Sequence, residues 1–147
     1  MTTATESTLQ AEIREVLAAR NRAIGAKDVD AIMGHYADDL VHFDAIPPFQ
    51  SRGASGLRDG WESCLPHFPD RFGMASDQLA IFGADDSAAA HWIWRFTDLP
   101  EDHPALTTCL RATAILKRRG GEWKIVHEHC SVPFDPCTSQ AFFQREP

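Results

Sequence analysis

The stretch Tyr36-Ala-Asp-Asp-Leu-Val-His-Phe-Asp44 decides the fold, because it joins the end of an amphipathic helical pattern to the start of a strand. Its first two residues close the helical pattern, and the two aspartates that follow form a polar break. Leu40–Asp44 then alternates as a half-buried strand does, which places Leu40, His42 and Asp44 on one face. A carboxylate among apolar neighbours needs a partner or a chemical role. Asp44 is therefore the first candidate functional residue.

The chain before and just after this stretch predicts three helices. Ser7 begins a capping box that opens the first helix, and this helix runs to about Ile24. Asp28 caps a second helix that ends at Tyr36. The third helix covers about 54–66 and contains two glycines, so packing must hold it in place.

The chain after Pro69 predicts strands at about 72–82, 87–97, 106–118 and 122–132. Helices followed by an antiparallel meander predict an α+β fold, with the helices covering one face of a curved sheet. Such a sheet wrapped around three N-terminal helices forms a cone whose wide end encloses a pocket. The length of 147 residues predicts a single domain over 1–147.

The composition narrows the class of protein. A chain that is 44% hydrophobic and 24% charged is typical of a soluble globular protein. A net charge of −7 argues against a nucleic-acid partner, because binding to phosphates depends on clustered Lys and Arg. No apolar run reaches transmembrane length and the first residues do not form a signal peptide, so we expect no membrane partner and a cytoplasmic location. The four cysteines lack paired spacing and predict reduced thiols.

Four segments resemble the nuclear transport factor two-like, SnoaL-like superfamily. They are Lys27-Asp-Val-Asp-Ala-Ile32, the Tyr36–Asp44 stretch, Gly53 with the helix it opens, and Gly121-Glu-Trp-Lys-Ile-Val-His-Glu-His-Cys-Ser-Val-Pro133. The resemblance runs from about Thr8 to Asp135, and the last segment is more similar to the SnoaL-like branch than to the isomerases. It implies the cone-shaped fold, but this superfamily holds isomerases, cyclases, hydrolases and non-catalytic binders.

Tyr-Ala-Asp-Asp with an Asp five residues later resembles ketosteroid isomerase, and this implies that Asp44 is a catalytic base with Tyr36 near the substrate. Gapless pairing with that family places Arg20 where it carries its oxyanion-hole tyrosine. It also places Thr113 where the isomerase has a protonated Asp. From the helical pattern alone, Arg20 either extends to the surface from the edge of the apolar stripe or has a role in the pocket.

Three aromatic side chains share one face of the strand predicted at 87–97, and alone they predict core packing. The resemblance instead makes that face the lining of a cavity, which needs apolar walls. Trp61 matches a family position that also borders the site. The predicted substrate-binding residues therefore include Trp61, Trp92, Trp94 and Phe96.

Three polar residues on the last two strands have alternative interpretations. An inward Arg111 would need a carboxylate, for which Asp44 is available; the alternatives are a structural ion pair or an outward Arg111 at a dimer face. Gapless family register turns Glu128 inward, although one β-bulge would exchange the two faces. The SnoaL-like resemblance instead favours His129 as the site residue of this strand, so we keep both Glu128 and His129 as candidate site residues.

A metal site is a weaker possibility in the same region. His42 with Asp44, and His127 with His129, place two ligand types on one strand face, as zinc and iron sites require. We predict no metal and no cofactor, because an inward Asp44 leaves the pair of histidines on the opposite side of the sheet.

These observations support two classes of function. The first is a cofactor-independent acid–base enzyme acting on a small, apolar, carbonyl-bearing molecule, with Asp44 as base and Arg20 or Arg111 stabilising an oxyanion. Hydration or dehydration through a water activated by Asp44 belongs to the same class. The second is a non-catalytic binding or dimerisation module. In either case we predict a homodimer, because the outer, convex face of the sheet would carry Ile93, Ile125 and His127.

Overall fold

The computed structural model describes residues 5–147, so the first four residues of the predicted domain lie outside the described part. Three helices precede most of the sheet: α1 (Thr8–Gly25), α2 (Val29–Met33) and α3 (Ser55–Cys64). One curved sheet that does not close follows them, and the predicted α+β class is confirmed. Its six strands are β1 (Tyr36–Phe43), β2 (Ser51–Arg52), β3 (Gly73–Ala84), β4 (Ser87–Thr97), β5 (Cys109–Arg119) and β6 (Glu122–Ser131).

The strand order across the sheet is β2-β1-β6-β5-β4-β3. All neighbouring strands run antiparallel except β1 and β6, which are parallel, so the wholly antiparallel arrangement expected from the sequence needs one correction. Parallel neighbours require a long connection, and here the whole β2–β5 segment connects them. This pairing brings the Tyr36–Asp44 stretch beside the last long strand.

Tyr36 begins β1 and does not end α2, contrary to the sequence prediction. The helix stops at Met33, and the His35 carbonyl then accepts a hydrogen bond of 2.9 Å from the Ile125 amide. Through that bond the chain joins the sheet at Tyr36, the residue at which the helical pattern predicts that the helix still continues. The two aspartates predicted as a break are exposed residues of β1.

The first helix packs its apolar stripe on the inner face of the sheet. Its capping box is present, as predicted, with Ser7 and Gln10 exchanging two hydrogen bonds. At its other end a Cβ on Gly25 would lie 2.3 Å from the Phe72 carbonyl oxygen. Only glycine permits this close approach, which fixes the end of α1 against the start of β3.

The register of β6 changes at a bulge between the positions that pair with Ile115 and Leu116. Ile125 and Glu128 both face inward as a result, and both are buried. The prediction that Ile125 lies on the outer face is therefore wrong, because the bulge exchanges the faces of the strand part-way along it.

The C-terminal tail, for which no element was predicted, forms a hairpin of β7 (Phe134–Asp135) and β8 (Gln140–Ala141). Among the described residues no helix is long and apolar enough to cross a membrane. All four cysteines are unpaired, in agreement with the predicted reduced thiols.

Candidate functional site

A cavity of about 240 Å³ lies between α3, the inner face of the sheet and the C-terminal hairpin. Most of its wall is apolar or aromatic, from Leu57, Trp61, Met74, Trp94, Phe96, Leu110, Val132 and Phe143. Its polar groups come chiefly from β1, the residue after it and β6: His42, Asp44, Glu128 and Cys130. The site is thus an apolar space with two carboxylates and an imidazole on its wall.

Glu128 is fully buried. Two residues that lie behind the cavity wall bind its carboxylate. The Arg20 guanidinium forms an ion pair with its Oε2, and the Tyr36 hydroxyl donates to its Oε1 at 2.7 Å. Arg20 also donates to the Tyr36 oxygen at 2.9 Å. Burial alone would raise the pKa of Glu128, but the charge of Arg20, the neighbouring His42 imidazole and the hydrogen bond from Tyr36 outweigh it and lower the pKa to about 2. Glu128 is therefore a carboxylate in an apolar interior.

Arg20 is fully buried among aromatic rings. Its guanidinium carbon lies 4.3 Å from the ring centroid of Trp94 and 5.3 Å from that of Trp92. Its Nε and Nη2 have no hydrogen-bond partner among the described residues, so these ring faces supply the compensating cation–π attraction. Burial alone would lower the Arg20 pKa, but Glu128 and Tyr36 raise it above its ordinary value, and the cation is permanent.

His42 lies between the two carboxylates. Its Nε2 is 3.5 Å from Glu128 Oε1, and its Nδ1 is 3.9 Å from Asp44 Oδ2. The His42 side chain is 5% exposed, whereas the Asp44 side chain is 34% exposed. The Asp44 Oδ1 accepts a hydrogen bond of 2.7 Å from the Ala45 amide. Asp44 is thus the accessible end of a line of polar groups that leads inward through His42 to Glu128.

Five of the residues predicted for the site line this cavity: Trp61, Trp94, Phe96, Asp44 and Glu128. Three more lie directly behind its wall, where Arg20 and Tyr36 bind Glu128 and Trp92 packs against Arg20. Arg20 therefore takes neither of the positions considered for it, since it is not at the surface and does not line the cavity.

Arg111, Thr113 and His129 lie on the outer face of the sheet, which we define as the side that bears Arg111, Thr113 and Ile115. All three are exposed, and Thr113 pairs across strands with His129. The pairing of Arg111 with Asp44, one of the alternatives considered, does not form, because Arg111 lies on the outer face, where it donates to Ser131 at 3.2 Å. Side chains alternate along β5, and the buried Ala112 and Ala114 occupy the inward positions.

Sequence reasoning weighed His42 only as a metal ligand and missed it as the centre of the site. The signal was present, because alternation along β1 places His42 on the same face as Asp44. It also missed two residues of the C-terminal tail that border the cavity, Ala141 in the hairpin and Phe143 just after it. Nothing in the tail's periodicity indicates that contact.

His42, Glu128 and Cys130 offer one ligand atom each within 4.8 Å of one another, and they form the one such group among the described residues. The carboxylate of Glu128 is already bound by the Arg20 cation and the Tyr36 hydroxyl. Burial raises the pKa of the Cys130 thiol well above its ordinary value, which opposes the thiolate form that metals bind. The group is therefore a poor match for a divalent cation.

The comparisons with known proteins agree with this fold. The family model for a SnoaL-like domain matches residues 13–135. An NTF2-like protein of unknown function from Pseudomonas putida KT2440 is 35% identical, with a TM-score of 0.85 over 98% of this chain and 100% of that chain. No curated protein matches the chain.

Two more distant structures share the fold alone. A candidate aromatic ring hydroxylase from Novosphingobium aromaticivorans is 18% identical, with a TM-score of 0.71 over 86% of this chain and 91% of that chain. A candidate ketosteroid isomerase from Parabacteroides distasonis is 19% identical, with a TM-score of 0.64 over 90% and 96%. Since the family match spans most of the sequence and agrees with the architecture, the chain belongs to the SnoaL-like family.

Proposed function

We propose that this protein is a cofactor-independent acid–base enzyme that moves a proton on carbon in a small, mostly apolar, carbonyl-bearing molecule. The observation that carries the proposal is the position of Asp44 on the wall of a mostly apolar cavity, in line with His42 and an ionised Glu128. A carboxylate at such a boundary can take a proton from a carbon acid held against the apolar wall.

The substrate is small. A cavity of about 240 Å³ lies below the range of about 300–1,000 Å³ that is usual for drug-sized ligands. One or two fused rings suit it better than a steroid. The substrate is also uncharged or positively charged, because the charged side chains on the described wall are carboxylates and Arg20 is turned away behind Glu128.

Trp61 supports the carbonyl part of the proposal. It lines the cavity, and its buried Nε1–H has no acceptor among the described residues. A buried donor without a partner costs free energy, and a ligand oxygen would satisfy it. In this proposal the indole N–H takes the oxyanion role that the sequence analysis gave to an arginine.

Deuterium incorporation from D₂O into 2-tetralone, a bicyclic ketone with exchangeable C–H bonds next to its carbonyl, tests the proposal. We expect deuterium to enter 2-tetralone faster with the protein than in buffer alone. The Asp44→Asn substitution should lower this enzymatic rate by about 10²–10⁴-fold. Asp38→Asn is the matched control, because Asp38 is an exposed aspartate of β1. Equal rates for the parent and Asp44→Asn would reject Asp44 as the base.

A non-catalytic binding module is the second candidate. One observation favours it: Arg20 balances the charge of Glu128 and Tyr36 donates a hydrogen bond to it, as in a structural ion pair. In that case 2-tetralone would raise the melting temperature without any exchange above buffer, and Asp44→Asn would leave that shift unchanged.

A further inference from the structure

We propose that His42 is the second catalytic group of the site and that the Glu128 cluster holds it in one tautomer. The proton is on Nε2, facing Glu128, and the bare Nδ1 faces Asp44. Glu128, Arg20 and Tyr36 are then positioning residues. This inference rests on the proposed function for its chemistry, but the arrangement of His42 can be tested without any substrate.

The distances around His42 select this tautomer. Glu128 is a carboxylate and can only accept a hydrogen bond, so it favours a proton on the imidazole nitrogen that faces it, Nε2 at 3.5 Å. On the other side, Nδ1 lies 3.9 Å from Asp44 Oδ2, which is too far for a hydrogen bond. At that distance Asp44 does not hold a proton on Nδ1.

Asp44 Oδ2 and His42 Nδ1 are consequently two proton acceptors that face the same small space. When the C–H bond beside the substrate carbonyl breaks, its electron pair passes into the carbon framework and the negative charge develops on the carbonyl oxygen. The proton goes to Asp44 and can pass to His42 Nδ1, forming an imidazolium that Glu128 stabilises. Because the Asp44 side chain is 34% exposed, the proton held there can exchange with solvent. A proton (a deuteron in D₂O) then returns from the pair to a carbon of the substrate, so no other reactant is consumed.

The three residues behind His42 explain why Glu128 can serve in this way. A carboxylate is costly in an apolar interior unless it is paired, and a protonated Glu128 could donate to Nε2 and would not select the Nε2–H tautomer. Arg20 binds Oε2 and leaves Oε1 for Tyr36 and His42. The second partner of a histidine sets which ring nitrogen carries the proton, and here that partner is held by a permanent cation.

Ring-nitrogen NMR of ¹⁵N-labelled protein at neutral pH tests the arrangement, with the His42 signals assigned by their loss in His42→Gln. We expect one neutral tautomer, protonated on Nε2. In Arg20→Met/Glu128→Met, which removes the acceptor together with its counter-charge, the signals should shift toward a mixture of tautomers. Glu122→Met, an exposed carboxylate on the same strand, should leave them unchanged.

The catalytic role is tested by 2-tetralone exchange in His42→Gln, which keeps a donor toward Glu128 but has no basic nitrogen at the Nδ1 position. We expect a loss of about 10²-fold or more, with no further loss in Asp44→Asn/His42→Gln because the two act as a unit. A wild-type His42 that is doubly protonated, or protonated on Nδ1 alone, would overturn the proposal even if the double variant does not fold. Exchange that depends on Asp44 but not on His42 would overturn the catalytic role while leaving the proposed function intact.

Discussion

At the scale of single residues, the buried pair of Arg20 and Glu128 decides what the site can do. Both side chains are almost completely inaccessible to solvent, and removing one partner of such a pair typically costs about 3–5 kcal/mol. The pair keeps a carboxylate ionised beside His42 and removes a cation from the cavity wall. Arg20, for which the helical pattern allowed a role in the pocket, therefore binds Glu128 in the interior and does not contact the cavity.

The depressed pKa of Glu128 predicts a specific loss of stability in acid. Its pKa falls from 4.5 to about 2 on folding, so its contribution is complete above about pH 4.5 and is lost as the pH falls toward 2. A shift of this size corresponds to roughly 3 kcal/mol of unfolding free energy. Urea titrations from pH 6 to pH 2 should show this loss in the parent, beyond that of Arg20→Met/Glu128→Met.

The double variant is the matched control because it removes both charges and leaves no unpaired cation. Other carboxylates, such as Asp39 beside Arg119, also titrate in acid, and they are common to both proteins. If the parent and the double variant lose stability equally in acid, the surroundings of Glu128 do not lower its pKa.

What the sequence could predict at this scale depended on the register of each strand. Alternation along β1 was sufficient to place Asp44 and His42 on one face. On β5 the family register assigned Arg111 and Thr113 inward, but a change of one residue moves every side chain to the other face. The pairing of Arg20 with Glu128 could not be read from the sequence, because the two residues are 108 positions apart and meet only through the folded sheet.

At the scale of elements, α3 forms one wall of the cavity. It carries two glycines that weaken a helix, as the sequence indicated, and Leu57 is its one buried residue. The sequence placed this helix and the four long strands to within a few residues. It could not show the bulge in β6 or the C-terminal hairpin, because neither produces a hydrophobic period.

Gly60 on α3 allows the cavity to be closed by one substitution. It lies on the cavity wall, and a Cβ there meets no atom within 4 Å. Gly60→Leu should block entry of 2-tetralone while leaving stability equal or higher, since replacing a helical glycine by alanine gains about 0.5–1 kcal/mol. Quenching of tryptophan fluorescence by 2-tetralone measures binding, because Trp61 and Trp94 line the cavity.

Asp59→Leu is the control for this prediction, because Asp59 is the exposed neighbour of Gly60 on the same helix. It should bind 2-tetralone as the parent does. Unchanged quenching in Gly60→Leu would mean that ligands do not occupy the space beside α3.

At the scale of the whole molecule, the two faces of the sheet have different roles. The inner face holds the helices, the buried ion pair and the cavity. The outer face is partly covered by the C-terminal tail, where Phe142 and Gln144 lie beside Arg111 and Ile93. Beyond the tail it exposes Phe82 and Ile115, at 60% and 41% of their surface. Large exposed side chains on one sheet face indicate a surface that binds another protein.

We propose that this outer face forms a homodimer, as the sequence predicted, with Ile115 near its centre in place of the buried Ile125. A stable dimer usually buries about 800 Å² on each partner, and a charge at the centre of such a patch loses its solvation without gaining a partner. Light scattering at micromolar concentration should therefore give a dimer mass for the parent and a monomer mass for Ile115→Glu. Phe49→Glu is the control, since Phe49 is 97% exposed and lies on the loop between β1 and β2, not on a strand of the outer face. It should remain dimeric; a monomeric parent would refute the proposed interface, and a dimeric Ile115→Glu would place the contact elsewhere on the molecule.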